Sequence, residues 1–269
     1  MIQTKLLRLP ILLISGLILF AVGCGTNSDT GMGTLEVRMH DAPIDSADQV
    51  NVNIERVEVN REGSQDGWST ISEPQETYNL LELTNGAYTV LGDTTLEAGT
   101  YQQIRLILAD EGHNVVIDGE THEMMVPSGS QTGVKLNVNA EIEENITYIL
   151  LLDFDASRSV VKAGQSNSVS YLLQPVIRAT NLAVTGNIAG TVAQAEAKPV
   201  VYAISGSDTL STTIADTTSG EFTLMGLEGG TYDVAIDPRN EEFSSSEETG
   251  VSVTEGENND IGTIELSQK

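Results

Sequence analysis

Cysteine occurs once in 269 residues, at Cys24. No disulfide can form within one copy of the chain, so anything that folds here stands on packed apolar side chains. Tryptophan also occurs once, at Trp68, and aromatic residues make up 4% of the sequence. That leaves little flat surface for stacking sugars or bases. The three histidines, His40, His113 and His122, are scattered and form no paired metal spacing. Basic residues are scarce too: 13 Lys and Arg face 39 Asp and Glu, for a formal charge of −26. A surface of that sign repels nucleic acid and attracts cations such as calcium. No G-x-S-x-G stretch marks a hydrolase nucleophile. The glycine-containing loop Pro127 to Gly133 lacks the GK[ST] ending and following helix of a phosphate cradle, and is expected to be a hairpin turn. Between Thr34 and Ile177 nothing sustains a helical period for a dozen residues, apart from a turn expected around Ser72 to Glu82.

The single long apolar run is Leu9 to Phe20, preceded by Lys5 and Arg8 and followed by Ala21, Val22, Gly23 and Cys24. This is the layout of a cleaved secretory signal, and the run, broken by Pro10 and Gly16, is too short for a membrane-spanning helix. Small residues ending on a cysteine resemble the lipobox of bacterial lipoproteins, with Ala21 where that pattern usually carries Leu. The resemblance implies cleavage after residue 23, a diacylglyceryl group on Cys24, and a mature protein tethered to a membrane through that lipid. Gly25 is not the aspartate that signals inner-membrane retention in such proteins, which favours the outer membrane. Without the leader, 11 basic and 39 acidic residues remain, a formal charge of −28. Residues 24–33, small and polar, are expected to be a flexible tether.

Beyond the tether the apolar residues fall at every second position in short runs, the period of a strand with one buried face. The runs are Thr34 to Met39, Val50 to Val59, Gln103 to Leu108, Val134 to Val138, Ile146 to Phe154 and Val169 to Ile177. Turn-forming clusters separate them at Gly63 to Gly67, Asn85-Gly86, Glu111-Gly112 and Asp118-Gly119. A second series starts after Thr180, with strands expected at Gly186 to Val192, Pro199 to Ile204, Asp208 to Ala215, Glu221 to Leu224, Thr231 to Ile236, Gly250 to Val253 and Ile261 to Leu266. The fold class is therefore all-β, with two β-sandwich domains expected at residues 34–180 and 184–267. An echo links them: Leu96 to Leu106 reads LEAGTYQQIRL and Leu227 to Ile236 reads LEGGTYDVAI, similar enough to reflect one turn chemistry.

The stretches HDAPID (His40 to Asp45), VPSGSQTGVKL (Val126 to Leu136), DFDASRSV (Asp153 to Val160) and LLQPVIR (Leu172 to Arg178) stand in this order. With them, the first domain resembles the family named domain of unknown function 4382, found in bacterial and archaeal lipoproteins and secreted proteins. That family has no assigned activity. The second domain is similar to carboxypeptidase regulatory-like modules with a prealbumin-like or starch-binding-like sandwich. The resemblance rests on GNIAGTV (Gly186 to Val192), VYAI (Val201 to Ile204), GEFTLMGLEGGTYDVAI (Gly220 to Ile236) and IGTIEL (Ile261 to Leu266). It implies a structural or adhesive accessory, some relatives of which bind carbohydrate.

Asp153 and Asp155 flank Phe154, so their carboxylates project about 7 Å apart from one face of a strand. With Asp41 or Asp45 they are candidate calcium ligands, since calcium takes six to eight oxygens. In the alternative, one aspartate pairs with Arg158 or Arg178 and the other accepts turn N–H groups. His40 is expected to be a hydrogen-bonded structural residue. A glycosidase pair would need a sugar cleft and more aromatic surface. Taken together, the residues predict no enzyme and no resident cofactor apart from calcium. They predict a membrane-anchored lipoprotein of the cell envelope with a binding or structural role, whose partners are the membrane and a glycan or envelope protein. A carbohydrate-binding surface protein and a calcium-stabilised adhesin are the two alternatives.

Overall fold

The computed structural model describes residues 31–42, 47–64, 67–127, 132–165 and 168–269. The leader, Cys24, most of the tether, Asp45 and the centre of the Pro127 to Gly133 loop lie outside the described residues.

The described residues of the N-terminal part form thirteen strands and a four-residue helix at Ala156–Ser159. In chain order they are β1 (Met32–Ala42), β2 (Gln49–Arg61), β3 (Trp68–Ser72), β4 (Glu76–Asn79), β5 (Thr89–Glu97), β6 (Gly99–Leu108) and β7 (Asn114–Ile117). There follow β8 (Glu120–Met125), β9 (Val134–Ile142), β10 (Thr147–Asp155), α1 (Ala156–Ser159), β11 (Val160–Gln165), β12 (Ser168–Leu173) and β13 (Ile177–Asn181). One sheet has the order β13-β10-β1-β5, with β1 and β10 parallel. The other runs β11-β12-β8-β7-β2-β6-β9, with β3 and β4 also paired to β2. Side chains alternate across each strand, so Leu35, Val37 and Met39 of β1 and Leu150, Leu152 and Phe154 of β10 meet Val52, Ile54, Leu106 and Leu108 of the facing sheet in one buried cluster.

The C-terminal part is built from β14 (Thr185–Val192), β15 (Val200–Ser205), β16 (Asp208–Ile214), β17 (Glu221–Glu228), β18 (Gly230–Asp237), β19 (Ser246–Val253) and β20 (Asn258–Ile264). They form sheets β17-β14-β20 and β16-β15-β18-β19. A separate cluster of Ile188, Val201, Phe222, Leu224, Val234, Ile236 and Ile264 lies between them. The all-β class holds throughout; β1, β2 and β14 show the period-two pattern over most of their length, whereas β10 and β17 are buried over consecutive residues because both of their faces are covered.

Two local expectations are corrected. The run Val169 to Ile177 is two strands, β12 and β13, which belong to different sheets. Pro175 has no N–H to donate to a ladder, so the chain leaves one sheet there and enters the other. The turn expected at Ser72 to Glu82 is strand β4 followed by a single 3-10 turn at Leu80–Glu82, whose start is capped by Asn79. The strands β3, β5, β7, β8 and β11 were not expected from the apolar pattern.

The repeated LE-x-GTY stretch has a geometric cause. In both copies the chain crosses from one sheet of a sandwich to the other, from β5 to β6 and from β17 to β18. In both, the tyrosine hydroxyl donates to the carbonyl of the glutamate four residues earlier: Tyr101 to Glu97 at 3.1 Å and Tyr232 to Glu228 at 2.8 Å. Each hydroxyl therefore ties the start of one strand to the end of the strand before it, across the corner. Tyr101→Phe and Tyr232→Phe are each expected to cost about 1 kcal/mol of stability in denaturant titration, since one hydrogen bond is lost while the ring stays packed.

Candidate functional site: the His40–Asp153–Arg178 seam and the Asn85 clasp

The parallel pairing of β1 with β10 sets His40 beside Asp153, Asp41 beside Phe154 and Ala42 beside Asp155. The antiparallel pairing of β10 with β13 sets Arg178 on the other side of Asp153. Because Met39 and Phe154 point into the core, His40, Asp153 and Arg178 project from the opposite face of this sheet. There His40 Nε2 lies 3.5 Å from Asp153 Oδ1, and the Arg178 guanidinium 3.5 Å from Asp153 Oδ2. These are long contacts. His40 Nε2, Asp153 Oδ1 and Arg178 Nε are buried without a well-formed hydrogen bond. Burial pushes the His40 imidazole below its ordinary pKa, against the pull of the Asp153 carboxylate.

Asp41 occupies the core side of β1. Its Oδ1 accepts the Ala156 N–H at 3.0 Å, while Oδ2 has no partner. Desolvation raises its pKa well above the ordinary aspartate value, and only the Ala156 hydrogen bond opposes this. Asp155 caps α1, accepting the Arg158 N–H at 3.0 Å and the Ser157 hydroxyl at 2.6 Å. Ser159 ties the Pro175 corner down: its hydroxyl donates to the Asp155 carbonyl and accepts the Val176 N–H.

The three carboxylates therefore do not converge. Asp41 faces the core, Asp153 the opposite face of the sheet, and Asp155 the helix start. Among the described residues no group of three or more His, Cys, Asp or Glu side chains is placed to hold a metal ion. The calcium site expected at Asp153, Asp155 and Asp41 is thus not assembled, because each carboxylate has a separate structural contact. The alternative reading fits the geometry, with Arg178 beside Asp153 and turn N–H groups on Asp155. His40 is buried, as a structural residue would be, and its Nε2 lacks the expected hydrogen bond.

The sheet face that carries this seam meets the C-terminal sheets. At Gly226 of β17 an added Cβ would stand 3.1 Å from Leu151 Cδ2, two residues before Asp153. A cleft of about 420 Å³ runs beside this contact, lined by Tyr148, Leu150, Arg178, Leu210 and Tyr232 among others. The strongest polar link is at Asn85, which sequence reasoning identified as part of a turn and nothing more. Asn85 and Gly86 both have positive φ, +55° and +83°, in a turn closed by the Ala87 N–H on the Thr84 carbonyl. The Asn85 carboxamide then meets β17, an edge strand. Its Nδ2 donates to the Glu221 carbonyl at 3.1 Å and its Oδ1 accepts the Thr223 N–H at 2.8 Å. The Asn85 N–H donates to Thr213 Oγ1 at 2.8 Å. One side-chain amide stands where the next strand's peptide would be, occupying the free edge of β17.

Trp68 was singled out as the sole tryptophan. It lies against the Arg105 guanidinium, 4.3 Å from the ring centroid, with Lys135 at 5.9 Å. Arg105 and Arg56 both pair with Glu58, whose carboxyl is held below the ordinary range by these hydrogen bonds despite its burial.

Three of the quoted motif stretches, at His40, Asp153 and Leu172, come together at one end of the β13-β10-β1 sheet through Asp41, Asp155 and Ser159. The family model described as "Domain of unknown function (DUF4382)" matches residues 32–175. The chain belongs to the DUF4382 family. No curated protein matches it. Among solved structures, it is similar to a cohesin–X-dockerin complex mutant from Acetivibrio cellulolyticus at 18% identity, covering 31% of this chain and 58% of that one, with a TM-score of 0.25. It is similar to the Bacillus anthracis TIE protein at 12% identity, 88% and 34% coverage and a TM-score of 0.24. A third is the minor pilin GBS52 of Streptococcus agalactiae at 11% identity, 87% and 96% coverage and a TM-score of 0.23. The DUF4382 chain thus spans 58% and 34% of the first two proteins. Among the described residues no helix is long and apolar enough to cross a membrane.

Proposed function

We propose that this DUF4382 protein is a lipid-anchored, non-catalytic component of the cell envelope that acts as a spacer or binding body. In this reading Cys24 carries the lipid, the residues from Cys24 to the start of β1 at Met32 form the tether, two fewer than the 24–33 expected from the sequence, and residues 34–180 and 184–267 lie in two sandwich domains. The second is of the carboxypeptidase regulatory-like type, and Gly25 favours the outer membrane. The observation that carries the structural part is the use made of the titratable cluster. His40, Asp41, Asp153 and Asp155 are taken up in joining β1, β10, α1 and β13, and the face bearing His40 and Asp153 is covered where the two sets of sheets meet. Groups so enclosed suit a rigid body better than a site that must admit a substrate.

Glycan binding is the second reading. One surface favours it: beside Trp68, on the outer face of β6 and β9, Gln103 and Asn137 share a hydrogen bond and present amides to solvent. Binding to a glycan array that survives Trp68→Ala would argue against that surface.

The anchoring claim is tested by Cys24→Ser. The wild type is expected in the detergent-extracted membrane fraction and the variant in the aqueous fraction, because two acyl chains supply stable attachment where none remains in the variant. Equal partition of both proteins would contradict it.

A further inference from the structure

Asn85 is followed by Gly86, and this is the one Asn-Gly pair in the chain. We propose that Asn85 is a site of spontaneous deamidation, held in check by its docking on β17, and that its conversion to an acid releases the two sets of sheets from each other.

The chemistry needs water and nothing else. The Gly86 backbone nitrogen attacks Cγ of Asn85, the N–Cγ bond forms, and the Cγ–Nδ2 bond breaks. Nδ2 leaves as ammonia with the proton given up by the Gly86 nitrogen. Water then opens the five-membered imide at either carbonyl, giving aspartate or isoaspartate with no change of oxidation state. Glycine is the least hindered residue to follow the asparagine, because it has no Cβ to obstruct ring closure. Asparagine is a thermolabile residue for this reason.

Three contacts oppose the reaction in the folded protein. Ring closure must turn Cγ towards the Gly86 nitrogen, which carries Nδ2 away from the Glu221 carbonyl and Oδ1 away from the Thr223 N–H. It also disturbs the Asn85 N–H on Thr213 Oγ1. The turn must leave the edge of β17 before it can react. After reaction the return is blocked. The product is a carboxylate with no donor for the Glu221 carbonyl, so two acceptors would face each other where a hydrogen bond stood. The new negative charge also joins a chain already at −26. The change acts in one direction: amide docked, acid undocked.

The test follows the mature full-length chain in mildly alkaline buffer, with peptide mass mapping of the segment that contains Asn85. The free peptide Leu-Thr-Asn-Gly-Ala-Tyr serves as reference. Deamidation in the folded chain is expected to be about 150-fold slower than in the peptide, the effect of three hydrogen bonds of about 1 kcal/mol each that must break first. Thr213→Val, which removes one docking acceptor and leaves the reacting atoms untouched, is expected to speed it about fivefold. Asn85→Asp is expected to enlarge the radius of gyration in solution scattering. The deamidated fraction of aged wild-type protein, separated by charge, gives the same reading without a substitution. A rate equal to that of the peptide, no effect of Thr213→Val, or a scattering curve of the acid form indistinguishable from wild type would each overturn the proposal.

Discussion

Phe154→Ala is expected to destabilise the N-terminal sandwich by about 3–5 kcal/mol while leaving the C-terminal core protected. Phe154 is fully buried in the cluster between the β13-β10-β1-β5 sheet and the nine-stranded sheet, in contact with residues of both layers. Truncation removes its transfer free energy and leaves a cavity that two rigid sheets close poorly. Phe222 holds the equivalent place in the other cluster, which shares no residue with the first. Hydrogen exchange read by mass spectrometry distinguishes the two. In Phe154→Ala, amides of β1, β2, β6 and β10 should lose protection while those of β14, β15 and β18 keep it, and Phe222→Ala should show the reverse. Equal loss across both sets in either variant would mean one cooperative unit instead of two cores joined at a seam.

The second large effect depends on pH. The Asp41 carboxyl has a pKa raised well above the ordinary 3.8 by burial. The folded state therefore keeps a proton that the unfolded state has lost, and stability falls as pH rises from about 3.8 towards the raised value. At its steepest the loss is about 1.4 kcal/mol per pH unit. Asp41→Asn keeps the shape and the acceptor for the Ala156 N–H but carries no titrating group. The difference in melting temperature, variant minus wild type, should grow with pH from about 4 upward. His40 works in the opposite sense. Its lowered pKa means the unfolded state binds the proton first, so its contribution is lost as pH falls below the ordinary 6.5. His40→Gln should therefore leave the Asp41 effect in place. A difference for Asp41→Asn that is constant across pH would show that the carboxyl is ionised in the folded protein.

These effects rest on features of unequal legibility in the sequence. Alternation in Thr34 to Met39 and Val50 to Val59 marked the core faces, because a strand covered on one side must alternate. The break at Pro175 was present in the sequence but hidden by the apolar residues around it; the missing N–H decided the topology. Strands β7 and β8 escaped notice because four to six residues carry too few alternations to stand out, and the nine-residue β5 because its stretch TVLGDTTLE carries few apolar residues and only Leu91 and Gly92 of it are buried. At the site, Asp153, Asp155 and Arg178 were visible as a set, and the choice between ion pair and metal ligands depended on which face of which strand each occupies. The register of β1 on β10 supplies that, and no local pattern encodes it. Asn85 was legible as a turn residue. Its role as a substitute strand needs β17, whose Glu221 and Thr223 lie more than a hundred residues away.

The central claim, attachment through Cys24, is tested most directly by the intact mass of the protein extracted from membranes together with its N-terminal peptide. A mature chain that begins at Cys24 and carries diacylglyceryl on its sulfur is the expected result. A chain that begins elsewhere, or a free Cys24 thiol in membrane-extracted protein, would contradict it.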